Sequence, residues 1–156
     1  MPEMVRRFLV LQAFLLWQGG FVVYGGVVVP VGAAVLGSET LQGFITQRVT
    51  LWLNGFAALW CVALAWDCLA VRGDALRGRL VAACAVGVLT LVGLHAAMDA
   101  HLDAEAMTVI DRAAFARLHM AYLGVSTLHW LLALAVAWRT LAVWRRADRR
   151  ASPPVP

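Results

Sequence analysis

The chain has 156 residues, 62% of them apolar and only 14% charged, with a formal charge of +4 and a mean hydropathy of +0.78. Soluble domains run at about 45–50% apolar and about 25% charged. Here the apolar excess is gathered into long charge-free stretches, which excludes a disordered chain, a secreted disulfide scaffold and an ordinary soluble enzyme. Three cysteines with no C-x-x-C pair exclude a cysteine zinc site and argue against a disulfide framework.

The uninterrupted stretches cover 8–38, 49–66, 80–98 and 118–138. A helix needs about 20 apolar residues to cross the hydrocarbon of a bilayer. The pattern predicts an all-α integral membrane four-helix bundle, one domain over 1–150, with spans near 8–31, 49–71, 80–99 and 117–140 and a disordered tail at 151–156. The first stretch is far longer than the apolar core of about 7–15 residues of a signal peptide, so it reads as a retained span. Within it Gly19, Gly26 and Ala33, and beside them Gly25 and Gly32, form small-residue stripes open to close helix packing. Pro30 is expected at its outer end. Ser38 before Glu39 reads as a helix start, with 41–49 as an interfacial turn or two. Ala83 and Gly87 give the third span a small-xxx-small pair.

All thirteen basic residues are arginine. Ten of them (Arg6, Arg7, Arg72, Arg77, Arg79, Arg139, Arg145, Arg146, Arg149, Arg150) flank one side of the spans, against Arg48, Arg112 and Arg117 on the other. Arginine excess marks the cytoplasmic side, so both termini are expected inside (N-in/C-in) in a bacterial cytoplasmic membrane. These arginines sit where orientation requires them, which argues against nucleic-acid binding. Trp66, Trp138 and Trp144 are expected at the inner boundary and Trp52 at the outer one. Trp17, Trp60 and Trp130 are expected to fill the bundle.

Ionisable and amide groups inside a span are costly and point to function. At about 1.5 Å per residue, His95, Asn54 and His119 fall near the outer boundary on three helices, while His129 and Gln18 reach the midplane region. His119, Tyr122, Ser126 and His129 are spaced by three and four, so they form one stripe; His95 and Asp99 share a face. If both stripes turn inward, a polar pocket opens outward, rimmed by Arg48, Asn54 and Asp99. His95 and His119, matched in depth, are candidate axial ligands of haem b, or with Asp99 the ligands of a copper or zinc ion, with Met98 and Met120 as soft donors for Cu(I). Asp67 is expected to pair with Arg72 or Arg139, or to mark a proton path. Cys61 and Cys68 are too far apart to bridge, and Cys84 lies near Cys68 in depth. His101, Asp103, Glu105 and Asp111 read as a solvated acidic loop.

The segment Trp17-Gln18-Gly19-Gly20, followed by Tyr24 and the run Val27, Val28, Val29 and Pro30, resembles the first span of small four-span bacterial membrane proteins of unknown function, similar to the transmembrane protein 205 group. Phe115, Leu118, His119 and Ser126 are similar to that group's final span. The arrangement also resembles, more distantly, four-helix copper-resistance membrane domains. Neither resemblance implies a reaction. The residues themselves point first to a non-enzymatic membrane protein whose polar groups, Gln18, Asn54 and His129 among them, serve helix packing, a homo-oligomer or a membrane partner. The competing readings are a haem- or copper-binding protein using His95 and His119, and a transport role for His129 and Gln18.

Overall fold

The computed structural model describes residues 3–151. Within them the chain forms four long helices, Glu3–Leu36, Glu39–Ala70, Ala75–Asp99 and Arg112–Ala151, each long and apolar enough to cross a membrane. The architecture is an all-α four-helix bundle. Between the third and fourth helices stands a small antiparallel hairpin of β1 (Leu102–Asp103) and β2 (Thr108–Val109). Four crossings put both termini at one end of the bundle, the terminal end, and the hairpin at the other. The expected spans form the apolar centres of these helices, and the helices run past them at most of their ends. The last is 40 residues long, about 60 Å at the α-helical rise, so its arginine-rich final turns extend well beyond the hydrocarbon. Ala151 closes it, and the remainder of the expected tail lies outside the described residues.

Local chemistry sets the helix boundaries. Gly37 adopts φ 61°, the left-handed conformation that ends a helix at little cost in glycine. Ser38 follows in an extended conformation, and its Oγ accepts from the Leu41 N–H at 3.3 Å. The second helix therefore starts at Glu39, as the Ser38–Glu39 pair predicts, and 41–49 forms its first turns. Pro30 does not end the first span, which continues to Leu36. Proline has no N–H for the carbonyl four residues back, and its ring crowds that carbonyl. The chain absorbs this in a wide π turn over Tyr24–Val28, where the Val29 N–H reaches the Tyr24 carbonyl five residues back.

Backbone packing runs from the first helix to the second, the second to the third and the third to the fourth. The main core lies in the terminal half, where Val10, Ala13, Trp17, Trp60, Leu64 and Val136 are among the residues buried together. Trp17 stacks on Trp60 with ring centroids 5.5 Å apart, and Phe14 packs against the same indole at 5.2 Å. A smaller cluster of Leu91, Met98 and Tyr122 joins the third and fourth helices nearer the hairpin. The first helix behaves differently along its length. Val10, Ala13, Trp17 and Gln18 are buried, whereas its π turn and the stretch Val29–Leu36 bury no residue. Its outward side is an exposed apolar surface suited to lipid. The glycine stripes do not serve as a close helix seam: a Cβ at Gly19, Gly25 or Gly26 meets nothing within 4 Å, while Gly32 alone of the two stripes' glycines lies hard against the Gln42 side chain.

At the terminal end one carboxylate ties the bundle together. Asp67 is fully buried and accepts from Arg6 Nε at 2.7 Å, Arg77 Nη1 at 2.8 Å and Trp144 Nε1 at 2.9 Å. These donors come from the first, third and fourth helices, and Asp67 itself from the second. Arg77 Nη2 also donates to the carbonyls of Asp67 and Val71, so a guanidinium only 1% exposed is well satisfied. This corrects the expected pairing with Arg72 or Arg139. Arg139 instead binds Asp74 at 2.9 Å, because Asp74 caps the third helix by accepting from the Arg77 N–H and so stands in the loop facing the fourth. Trp144, expected at the interface, is buried for the same reason: its indole N–H completes the Asp67 shell, and Arg7 lies over its ring at 5.3 Å. Trp52 and Trp138 are largely exposed, as interfacial indoles are.

Candidate binding cavity

In the hairpin half the helices diverge and enclose a partly open cavity of about 820 Å³. Its shape follows from the packing order. The first and fourth helices touch through Arg7–Asp148, Arg7–Trp144 and Trp17–His129. Towards the hairpin they stand on opposite sides of the cavity. The first helix contributes Phe21, Tyr24, Gly25, Val29 and Ala33; the fourth contributes Phe115, His119, Tyr122, Leu123, Ser126 and His129. Leu102 and Val109, from the two hairpin strands, reach the lining as well. Apolar surface dominates the cavity, and the polar groups are concentrated on particular walls.

The second helix supplies one such wall. Gln42, Thr46, Thr50 and Asn54, spaced by four, all line the cavity. Residues four apart stack on one helix face, so this stripe was readable in the sequence. Weighing ionisable groups and only the amides deep in the spans passed it over, so that Gln42, Thr46, Gln47 and Thr50 were not among the expected site residues. Several members are engaged: the Tyr24 hydroxyl donates to Thr46 Oγ1 at 3.3 Å, Thr46 donates to the Gln42 carbonyl at 2.9 Å, and Gln47 Nε2 donates to Asp99 Oδ1 at 2.7 Å.

The histidines divide by environment. His95 is buried, with Nε2 2.9 Å from the Gln47 carbonyl and Nδ1 3.3 Å from Asp99 Oδ2. Both ring nitrogens are thereby occupied, Nε2 in holding the third helix to the second and Nδ1 by Asp99 one turn along its own helix. His119 borders the cavity but is exposed, and it stacks on Phe115 with centroids 5.9 Å apart. Axial ligation of haem needs a free nitrogen on each imidazole, and His95 has none to offer. Among the described residues no group of three or more His, Cys, Asp or Glu side chains is gathered to hold a metal ion. The set His95, Asp99 and His119 therefore does not fit haem b or copper as arranged. Met98 is buried in the small core cluster and Met120 points outward, 67% exposed.

His129 lies deepest in the cavity. Its ring packs edge-on against Trp17 at 4.9 Å, and it fits only because residue 87 is glycine: a Cβ there would come within 2.7 Å of His129 Cδ2. Ser126 and Tyr122 follow on the same face, towards the hairpin. The Tyr122 hydroxyl donates to Asn54 Oδ1 at 3.0 Å, joining the fourth helix to the second. His129, Ser126 and Asn54 are 3%, 5% and 5% exposed. Asn54 Nδ2 has no hydrogen-bond partner among the described residues, and the His129 ring and Ser126 Oγ make none of good geometry; the His129 ring is directed at the Cys84 backbone and Ser126 Oγ at the Tyr122 hydroxyl. Gln18 is likewise buried with both amide atoms unpartnered, but it lies outside the cavity lining. Arg48, expected at the rim, is exposed and outside the lining too. Cys61 and Cys84 are buried and all three cysteines are free thiols.

A buried polar group left without a partner costs about 1–3 kcal/mol, and most such groups in folded proteins are satisfied. Three such groups line one apolar cavity, where they are available to hydrogen-bond a bound molecule. Comparison with protein-family models, with curated proteins and with solved structures finds no match to this chain.

Proposed function

We propose that this chain is a non-enzymatic multi-pass protein of a bacterial cytoplasmic membrane that binds a lipid-soluble small molecule in the cavity at its hairpin end. The observation that carries this reading is the cavity of about 820 Å³ lined by three buried polar side chains with hydrogen-bonding capacity to spare, Asn54, Ser126 and His129. Pockets of this size, mostly apolar with a few convergent polar groups, are typical of small-molecule sites. The remaining polar residues have packing roles: His95, Gln47, Tyr122 and Asp99 cross-link helices. Ten of thirteen arginines gather at the terminal end, which supports a cytoplasmic position for that end and a cavity on the opposite face.

The test is organic extraction of the purified protein followed by mass spectrometry, on the parent and on Gly25→Leu. Gly25 lines the cavity, and a Cβ there meets nothing within 4 Å, so leucine fills the space without straining the fold. A molecule retained by the parent and lost from the variant supports the reading; identical extracts from two equally folded proteins refute it. A reporter fused after Arg150 should be active only in its cytoplasmic form.

A further inference from the structure

Resting on that reading, we infer that the ligand is an uncharged amphiphile bearing a carbonyl group, its oxygen seated on Asn54, Ser126 and His129 and its hydrocarbon part along the first helix. The spare polar atoms decide the head. Asn54 Oδ1 is taken by Tyr122, so Nδ2 offers only its two N–H donors; Ser126 offers a hydroxyl that donates or accepts, and a neutral His129 one N–H and one acceptor nitrogen. The vacant capacity is weighted towards donors, and the complementary partner is a hydrogen-bond acceptor.

Charge decides the rest. The chain has thirteen arginines and no lysine, and none of the thirteen lines the cavity. A carboxylate or phosphate head would enter without a counter-charge, which is strongly unfavourable away from water. The lining carries two carboxylates, Glu39 and Asp99, and both lie towards the hairpin. Asn54 is fifteen residues along the second helix from Glu39, about 22 Å, and Asp99 already accepts from Gln47 and faces His95. A cationic head at the deep end would be unpaired as well. The apolar wall formed by Phe21, Gly25, Val29 and Ala33 of the first helix suits a hydrocarbon tail or ring. These residues belong to the helix whose hairpin half carries the exposed apolar surface, which gives the tail a route in from the bilayer. A quinone is the simplest membrane-resident molecule with these properties.

Three probes of similar chain length separate the alternatives in detergent: decylubiquinone (uncharged, carbonyl-bearing), dodecanoate (anionic) and decyltrimethylammonium (cationic). Binding is read by tryptophan quenching, since Trp17 lines the cavity, and by thermal unfolding. The expected result is saturable decylubiquinone binding that Gly25→Leu abolishes and that Ser126→Ala and His129→Leu each weaken about tenfold. Ser126→Ala removes an oxygen that makes no hydrogen bond of good geometry, and thermal unfolding of the variant separates lost binding from lost folding. Binding of dodecanoate or decyltrimethylammonium at least as tight, and equally sensitive to Gly25→Leu, overturns the assigned head group while leaving the cavity as a site. Decylubiquinone binding indifferent to both Ser126→Ala and His129→Leu overturns the assigned floor. If no probe binds in a manner sensitive to Gly25→Leu and extraction recovers no bound molecule, the inference and the reading beneath it both fall.

Discussion

Replacing Asp67 by alanine should be the most damaging single change in the terminal half of the bundle. The substitution removes the acceptor shared by Arg6, Arg77 and Trp144. Arg77, 1% exposed, then keeps two backbone carbonyls but no counter-charge, and the Trp144 indole N–H loses its acceptor. Breaking one side of a buried ion pair costs about 3–5 kcal/mol, because the charge left behind stays desolvated. Asp67→Asn retains the shape and one carbonyl oxygen, yet turns an N–H₂ towards a donor, so a smaller loss of about 2–3 kcal/mol is expected. The cost arises from the stranded guanidinium rather than from lost volume. Removing both charges, in Asp67→Leu with Arg77→Met, should therefore recover much of it; Arg6 has Glu3 within 3.9 Å as an alternative partner. Reversible unfolding in mixed micelles, followed by tryptophan emission, measures each step. An Asp67→Ala protein within about 1 kcal/mol of the parent, or a double variant less stable than Asp67→Ala, would refute the assignment of this carboxylate as the tie between four helices.

Other consequences are equally direct. Gly87→Ala should destabilise by about 1–3 kcal/mol despite alanine's better helix propensity, because the new Cβ would meet His129 Cδ2 at 2.7 Å; Gly93→Ala on the same helix, where nothing lies within 4 Å, should be neutral or stabilising by the same unfolding assay. Tyr122→Phe should cost about 1 kcal/mol, since Asn54 Oδ1 loses its donor, and infrared or thermal measurements should detect no change in helix content. Asp74 gives a pH-dependent case. Burial raises its carboxyl, but the Arg77 backbone N–H and the Arg139 side chain outweigh this and hold it below the ordinary value of 3.8. Its contribution is therefore fully present above 3.8 and is lost as pH falls through the lowered folded value. Asp74→Ala should be less stable than the parent by about 1–2 kcal/mol at pH 7, and the gap should close on acidification below 3.8; a gap constant with pH would sink the assignment.

Much of the architecture is decided by composition and spacing alone. Charge-free runs of about twenty residues leave the backbone no option but helix in a medium without hydrogen-bonding solvent, so four membrane helices follow before any contact is known. Ser38 and Gly37 mark the boundary of the first two helices through their own side-chain and backbone chemistry. The three- and four-residue spacing of His119, Tyr122, Ser126 and His129 places them on one face, and the same rule applied to Gln42, Thr46, Thr50 and Asn54 would have exposed the second polar wall. Helical phase shows which residues share a face. It cannot show which helix that face meets, and that is where tertiary structure takes over. Asp67 has arginines close in sequence, yet its partners arrive from three other helices, because only the packed bundle sets which long side chains reach a buried carboxylate. His95 and His119 match in depth, but the Gln47 carbonyl and Asp99 occupy the imidazole that a haem or metal would need. The cavity itself exists because the first helix packs on the second helix and meets the fourth mainly towards the terminal end. Depth and phase along a helix are properties of the chain; distance between helices is a property of the fold.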